Sequence, residues 1–195
     1  LLRELAELSG LSYGGNNLLI PSNLPDGWSY VTPGEMGMAL EESINNELLR
    51  YSFGGHTVLV DGDGLFRDEG RTLTGFIADF PGENAFFIAR NASTGQLAVI
   101  FRGTDQGADF VASYPGIGLN NLAPEIDEFQ AAFLALGNYI SDSGTLGFGF
   151  EVLATGHSLG GALAAEAVNA FDFINDGVGF GSPGMSIDPG NEFLI

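Results

Sequence analysis

The sequence predicts a single α/β domain in which helices are layered on a mixed sheet, and three observations point there. The chain has 195 residues, a length that suits one hydrophobic core. Between about residues 85 and 101 two apolar runs flank Asn91-Ala92-Ser93-Thr94-Gly95, whose length and residue types suit an antiparallel hairpin. From residue 150 to 181 the pattern becomes strand, Gly-rich turn, helix and strand, the alternation that builds parallel sheets.

Leu1, Leu2, Leu5 and Leu8 recur at helical spacing, so residues 1–9 are expected to be a helix that Gly10 closes. Residues 16–34, with Pro, Asn and Gly throughout, read as loop. Met36, Leu40, Ile44 and Leu48 stand four apart and predict a helix over residues 36–49. Strands are expected at 57–60, 71–78, 85–89 and 96–101, separated by Gly, Asp and Asn turns. Pro124 opens a helix with Ile126, Phe129, Phe133, Leu136 and Ile140 spaced 3, 4, 3, 4. A strand at 150–154, a turn at 156–161, a helix at 162–171 and a strand at 178–181 complete the series.

Composition narrows the function. Hydrophobic residues make up 45% of the chain, with 16 Phe, enough to offset the ordering entropy that keeps polar chains disordered. Six Arg, no Lys and 25 Asp plus Glu give a net charge of −19, which repels phosphate backbones and anionic lipid headgroups. Nucleic acid is therefore excluded as a partner, and no apolar run is long enough to span a membrane. No Cys is present, which removes disulfides and thiolate chemistry. The acidity reads first as a solvated surface and second as the mark of a secreted or salt-tolerant protein, with a secreted or extracellular location favoured over a cytoplasmic one. Asp61-x-Asp63 hints at a calcium loop, but Phe66 and Thr72 occupy the positions where an EF-hand needs Gly and Glu. It reads as a β-turn. No phosphate loop, dinucleotide fingerprint or His-rich spacing occurs, so neither metal nor cofactor is implied.

The informative stretch is Thr155-Gly156-His157-Ser158-Leu159-Gly160-Gly161-Ala162. Gly156-x-Ser158-x-Gly160 lies between an apolar run and an alanine-rich helix, the context in which this motif presents a nucleophilic serine on a sharp strand-to-helix turn. Such a turn strains the central residue, so its neighbours two positions away must lack a Cβ. Ala162, Ala164 and Ala165 let the helix approach the sheet, and its first N–H groups point at charge developing near Ser158. His157 points away from Ser158 in such a turn and is assigned a packing or hydrogen-bonding role. A second oxyanion donor is sought where Leu97-Ala98-Val99-Ile100-Phe101 breaks into Arg102-Gly103-Thr104-Asp105. Gly103 permits the exit, and Thr104 offers an N–H and a hydroxyl.

Together with Gly179-Phe180-Gly181-Ser182-Pro183-Gly184, these pieces resemble the class 3 lipases, the fungal triacylglycerol lipase-like branch of the α/β-hydrolases, over about residues 73–192. The resemblance implies a three-layer α/β-hydrolase sandwich with a mixed sheet. It also implies Ser158 as nucleophile, Thr104 and Leu159 as oxyanion hole, and Arg102 as a structural residue beneath the strand end. The segment at about 105–123 would be a lid, whose Phe110, Val111, Tyr114, Ile117, Leu119 and Leu122 could meet a lipid interface; Tyr114-Pro115-Gly116 departs from the tryptophan-containing pattern of the family.

In this fold the acid and then the histidine base follow the serine, yet no His follows Ser158. His56 and Asp188 are the weak candidates within the chain, His56 far upstream and Asp188 early in a Pro- and Gly-rich turn. The expectation is that residues 1–195 form one lipase-like domain, incomplete at its C-terminus, whose last strands and triad Asp and His lie beyond Ile195. The activity expected is hydrolysis of carboxylic esters, on acylglycerols, phospholipids or small esters, through an acyl-enzyme on Ser158. The alternative is a non-catalytic lipid- or protein-binding module on a degenerate hydrolase fold.

Overall fold

The computed structural model describes residues 1–12, 24–45, 48–68, 84–103, 122–143, 149–182 and 192–195. In chain order these form α1 (Leu2–Leu11), β1 (Trp28–Tyr30), β2 (Ala39–Asn45), β3 (Leu48–Phe53), β4 (His56–Asp61), β5 (Phe66–Arg67), β6 (Ala85–Asn91) and β7 (Gln96–Phe101). There follow α2 (Ala123–Asp127), α3 (Gln130–Ser143), β8 (Glu151–His157), α4 (Leu159–Ala170), β9 (Asp176–Phe180) and β10 (Glu192–Leu194). Among the described residues the ten strands form one sheet, ordered β10-β9-β8-β7-β6-β5-β4-β3-β2, with β1 paired to β6. From β2 to β7 neighbours run antiparallel, and from β7 to β10 they run parallel. The change falls at β7, as the helical crossovers after it require.

Side chains alternate across the sheet. Leu97, Val99 and Phe101 of β7 and Val152 and Ala154 of β8 face a core shared with α2, α3 and α4. Ala98, Ile100 and Leu153 face the other way, onto Leu5 and Leu8 of α1 and onto Trp28. Helices therefore cover both faces. Within the larger core Phe86 stacks on Phe66 and Phe133 at centroid distances of 5.0 and 5.3 Å and meets Phe129 edge-on at 4.9 Å. Such pairs stabilise beyond the area they bury, and they fix α3 against the strands that lead to the candidate site.

The hairpin at 91–95 is present, with Asn91 opposite Gln96. The Asn91 Oδ1 accepts the Ser93 and Thr94 N–H groups at 3.1 and 3.3 Å, and Gly95 N–H donates to the Asn91 carbonyl at 3.0 Å. The Asp61 turn is likewise local: Gly64 N–H donates to the Asp61 carbonyl at 3.0 Å, and Asp61 Oδ1 accepts from Asp63 and Leu65.

Four expectations need correction. Residues 36–49 are not a helix but lead into the antiparallel pair β2–β3. A spacing of four is also a multiple of the strand period of two; Met36 and Met38 are buried, while Leu40 and Ile44 are exposed. The helix opened by Pro124 breaks at Glu128 and Phe129, where Phe129 N–H donates to the Ile126 carbonyl at 3.0 Å and the ring turns into the core. The loop expected at 16–34 contains β1, held because Trp28 is buried and pairs opposite Asn91. The turn expected at 156–161 ends earlier, since α4 begins at Leu159. The strand expected at 71–78 lies outside the described residues, and the short strands β5 and β10 had no sequence signal.

Candidate active site

Strand β8 is buried from Val152 to Gly156 and emerges at His157. One residue later, Ser158 has φ 56° and ψ −127°, and α4 starts at Leu159. Among the described residues it is the only non-glycine with positive φ. An L residue is held in such a conformation at a cost of about 1–3 kcal/mol, sustained only where the surroundings over-determine it.

The surroundings here are glycines packed to backbone contact. A Cβ built on Gly156 would lie 2.3 Å from the Gly160 carbonyl carbon, and one on Gly160 would lie 2.4 Å from the Phe101 carbonyl oxygen. The absence of both side chains is what lets β8 turn straight into α4, and what seats the turn against the exit of β7. Behind it Ala162, Leu163, Ala164 and Ala165 are buried against the sheet. The Ser158 N–H donates to the Phe180 carbonyl of β9 at 3.0 Å, and the Ser158 carbonyl accepts from Gly161 N–H at 3.0 Å. The Thr155 hydroxyl adds a rung to the Val178 carbonyl at 2.8 Å.

Ser158 is partly exposed at the end of the sheet. Leu159 is the first residue of α4 and is buried; its N–H has no intrahelical acceptor and belongs to the positive end of the helix. Arg102 is buried at the end of β7, its N–H donating to the Ala85 carbonyl at 2.8 Å. Gly103 beside it is buried as well. Thr104, the expected second oxyanion donor, Asp188, the weak acid candidate, and residues 105–121, most of the expected lid, lie outside the described residues.

His157 is exposed, and a Cβ on Gly181 would approach its Nε2 to 3.4 Å. His56 is exposed at the start of β4, four strands from β8; at roughly 4.8 Å per strand the two strands are about 19 Å apart. The structure does not bring His56 to Ser158. Among the described residues no three His, Asp or Glu side chains could hold a metal ion together, and no helix is long and apolar enough to cross a membrane.

Sequence reasoning placed Gly161 and Ser182 in two separate motifs but gave them no role and no contact. A Cβ on Gly161 would lie 2.6 Å from the Ser182 Cβ, and the second glycine of Leu159-Gly160-Gly161 was the available signal. No protein-family model matches the chain, and no curated protein matches it.

Proposed function

We propose that this protein is a serine hydrolase of carboxylic esters, acting on acylglycerols, phospholipids or small esters through an acyl-enzyme on Ser158. The observation that carries the reading is the backbone of Ser158, positive in φ between a parallel strand and a buried helix. Strain of this kind persists where it serves a site, and here it falls on a partly exposed serine just past the end of β8. Ser158 Oγ attacks the acyl carbon, the carbonyl oxygen takes up negative charge, and the Leu159 N–H at the helix start donates to it. The Thr104 N–H and hydroxyl are assigned as the partner donors. The ester C–O bond then breaks and the proton lost by Ser158 Oγ passes to the leaving alkoxide; water next attacks the acyl carbon, the acyl–Oγ bond breaks, and a water proton returns to Ser158 Oγ as the carboxylic acid is released. In this proposal the proton carrier is neither His56, four strands away, nor His157, whose ring lies beside Gly181. The net charge of −19 favours uncharged substrates over anionic lipids.

The test is fluorophosphonate labelling of the full-length protein beside its Ser158→Ala variant, read by intact mass, with tributyrin and phosphatidylcholine turnover in parallel. Label confined to the parent with ester turnover is the expected result. A folded protein that takes no label refutes the hydrolase and leaves a binding module.

A further inference from the structure

The strained turn is clamped from two sides, and only one clamp is explained by the glycines of the Gly156-x-Ser158-x-Gly160 motif. Toward β7, Gly160 rests on the backbone of Phe101 and Arg102. Toward β9 the contact is made by the last residue of the strand and the two that follow it. Phe180 accepts the Ser158 N–H at 3.0 Å. Gly181 has φ +57°, a left-handed turn that folds the chain back toward α4. Ser182 then places its side chain in a socket made by two missing side chains: a Cβ on Gly161 would lie 2.6 Å from its Cβ and 2.7 Å from its Oγ, and a Cβ on Gly179 would lie 3.0 Å from its Cβ.

Gly161 is not a passive neighbour, because its N–H holds the Ser158 carbonyl at 3.0 Å. Both ends of the Ser158 residue are therefore gripped by groups tied to this one segment, the N–H by Phe180 and the carbonyl by the residue on which Ser182 sits. Resting on the hydrolase reading above, we propose that Ser182 is a positioning residue for the nucleophile: wedged between Gly161 and Gly179, it sets the height of the first turn of α4 and so holds Ser158 in its strained, reactive conformation.

The wedge predicts a complementary pair of substitutions. Gly161→Ala drives a methyl into Ser182, and the first turn of α4 must rise by several tenths of an ångström, moving Ser158 with it. Misplacements of this order are costly to rate, since a 1 Å error costs about 10²-fold. Ser182→Gly empties the socket, so the double variant Gly161→Ala/Ser182→Gly again has room, apart from the Gly156 carbonyl at 3.1 Å. The experiment measures fluorophosphonate labelling rate, melting temperature and a crystal structure for the full-length protein, both single variants and the double. Labelling at least tenfold slower for Gly161→Ala, recovered to within about threefold of the parent in the double variant, is the expected result, with Ser158 displaced by several tenths of an ångström in the crystal structure of the first and restored in the second. Recovery of rate without recovery of melting temperature would separate positioning from general stability. A Gly161→Ala protein that labels at the parental rate, or a double variant as slow as the single, overturns the proposal. Should Gly161→Ala fail to fold, the Ser182→Gly protein decides: labelling three- to tenfold slower supports the wedge and the parental rate overturns it. If the parent itself takes no label, the hydrolase reading fails, and the wedge still stands or falls on the displacement of Ser158 in the crystal structures.

Discussion

Substituting Gly160 by Ala tests the geometry of the turn most directly. The new methyl would sit 2.4 Å from the Phe101 carbonyl oxygen and 2.8 Å from the Arg102 carbonyl carbon. Ordinary contact begins near 3.4 Å, so the helix start and the exit of β7 must separate by about 1 Å. Neither side can yield alone. Phe101 is fully buried and ring-packed on Phe86 and Phe133, and the Arg102 N–H is held by Ala85. Overpacking of this kind costs about 1–3 kcal/mol, and more where backbone meets backbone. For a chain of this size each kcal/mol lowers the melting temperature by roughly 2–4 °C, so a fall of about 6–12 °C is expected at the upper end. Under the proposed hydrolase function, labelling of Ser158 should slow by about 10²-fold, because a 1 Å displacement of the hydroxyl from the proposed oxyanion donors suffices for that. Calorimetry and a fluorophosphonate time course on the same preparation supply both numbers. A variant that melts within 1 °C of the parent and labels as fast would refute the packing of the turn on β7.

Ser158→Gly should abolish labelling yet raise stability by about 1 kcal/mol, since relief of a strain of roughly 1–3 kcal/mol exceeds the backbone entropy that glycine adds; urea midpoints measure it, and a destabilised variant would contradict the strain. Phe193→Ala removes the ring that covers Gly177 and Gly179 and is expected to cost about 2 kcal/mol, below the range for a fully buried Phe, as read by thermal melts. The Tyr30 phenol donates to the Gly64 carbonyl at 2.7 Å, and burial, aided by the charge of Asp61, raises its pKa above the ordinary 10.0. A raised folded pKa means stability that is fully present below about pH 10 and declines as pH climbs beyond it. Tyr30→Phe should cost about 1 kcal/mol at neutral pH and flatten that alkaline decline, and parallel curves for the two proteins would rule the assignment out.

What could be read in the sequence followed the length and redundancy of each signal. The β6–β7 hairpin carried three concordant cues, two apolar runs and a turn whose Asn91 side chain caps its own loop. The Ser158 turn was legible because strain and close approach both demand glycine at fixed offsets. Residues 36–49 misled because intervals of four satisfy the helix and the strand alike, and only pairing with β4 through β3 decides between them. The break at Phe129 was invisible because its ring keeps the apolar spacing while its backbone leaves the helix. The Gly161–Ser182 contact joins residues 21 positions apart; each stands in a glycine-rich motif, but neither motif says that the two meet.

The division of the sheet at β7 also dictates an order of events as the chain acquires its structure. Strands β6 and β7 meet across a four-residue loop, whereas Gln96 of β7 must find Glu151 of β8, 55 positions away. Closing long loops before any contact rewards them slows assembly. The antiparallel half is therefore expected to gain protection first and to template the parallel half, with the Ser158 turn among the last regions to form. Pulse-labelled amide exchange during refolding should find Ile88 and Val99 protected before Ala154 and Val178. The Ser158 turn would then stay unassembled until the rest of the scaffold is in place, so that, under the proposed hydrolase function, partly folded chains would carry no armed nucleophile.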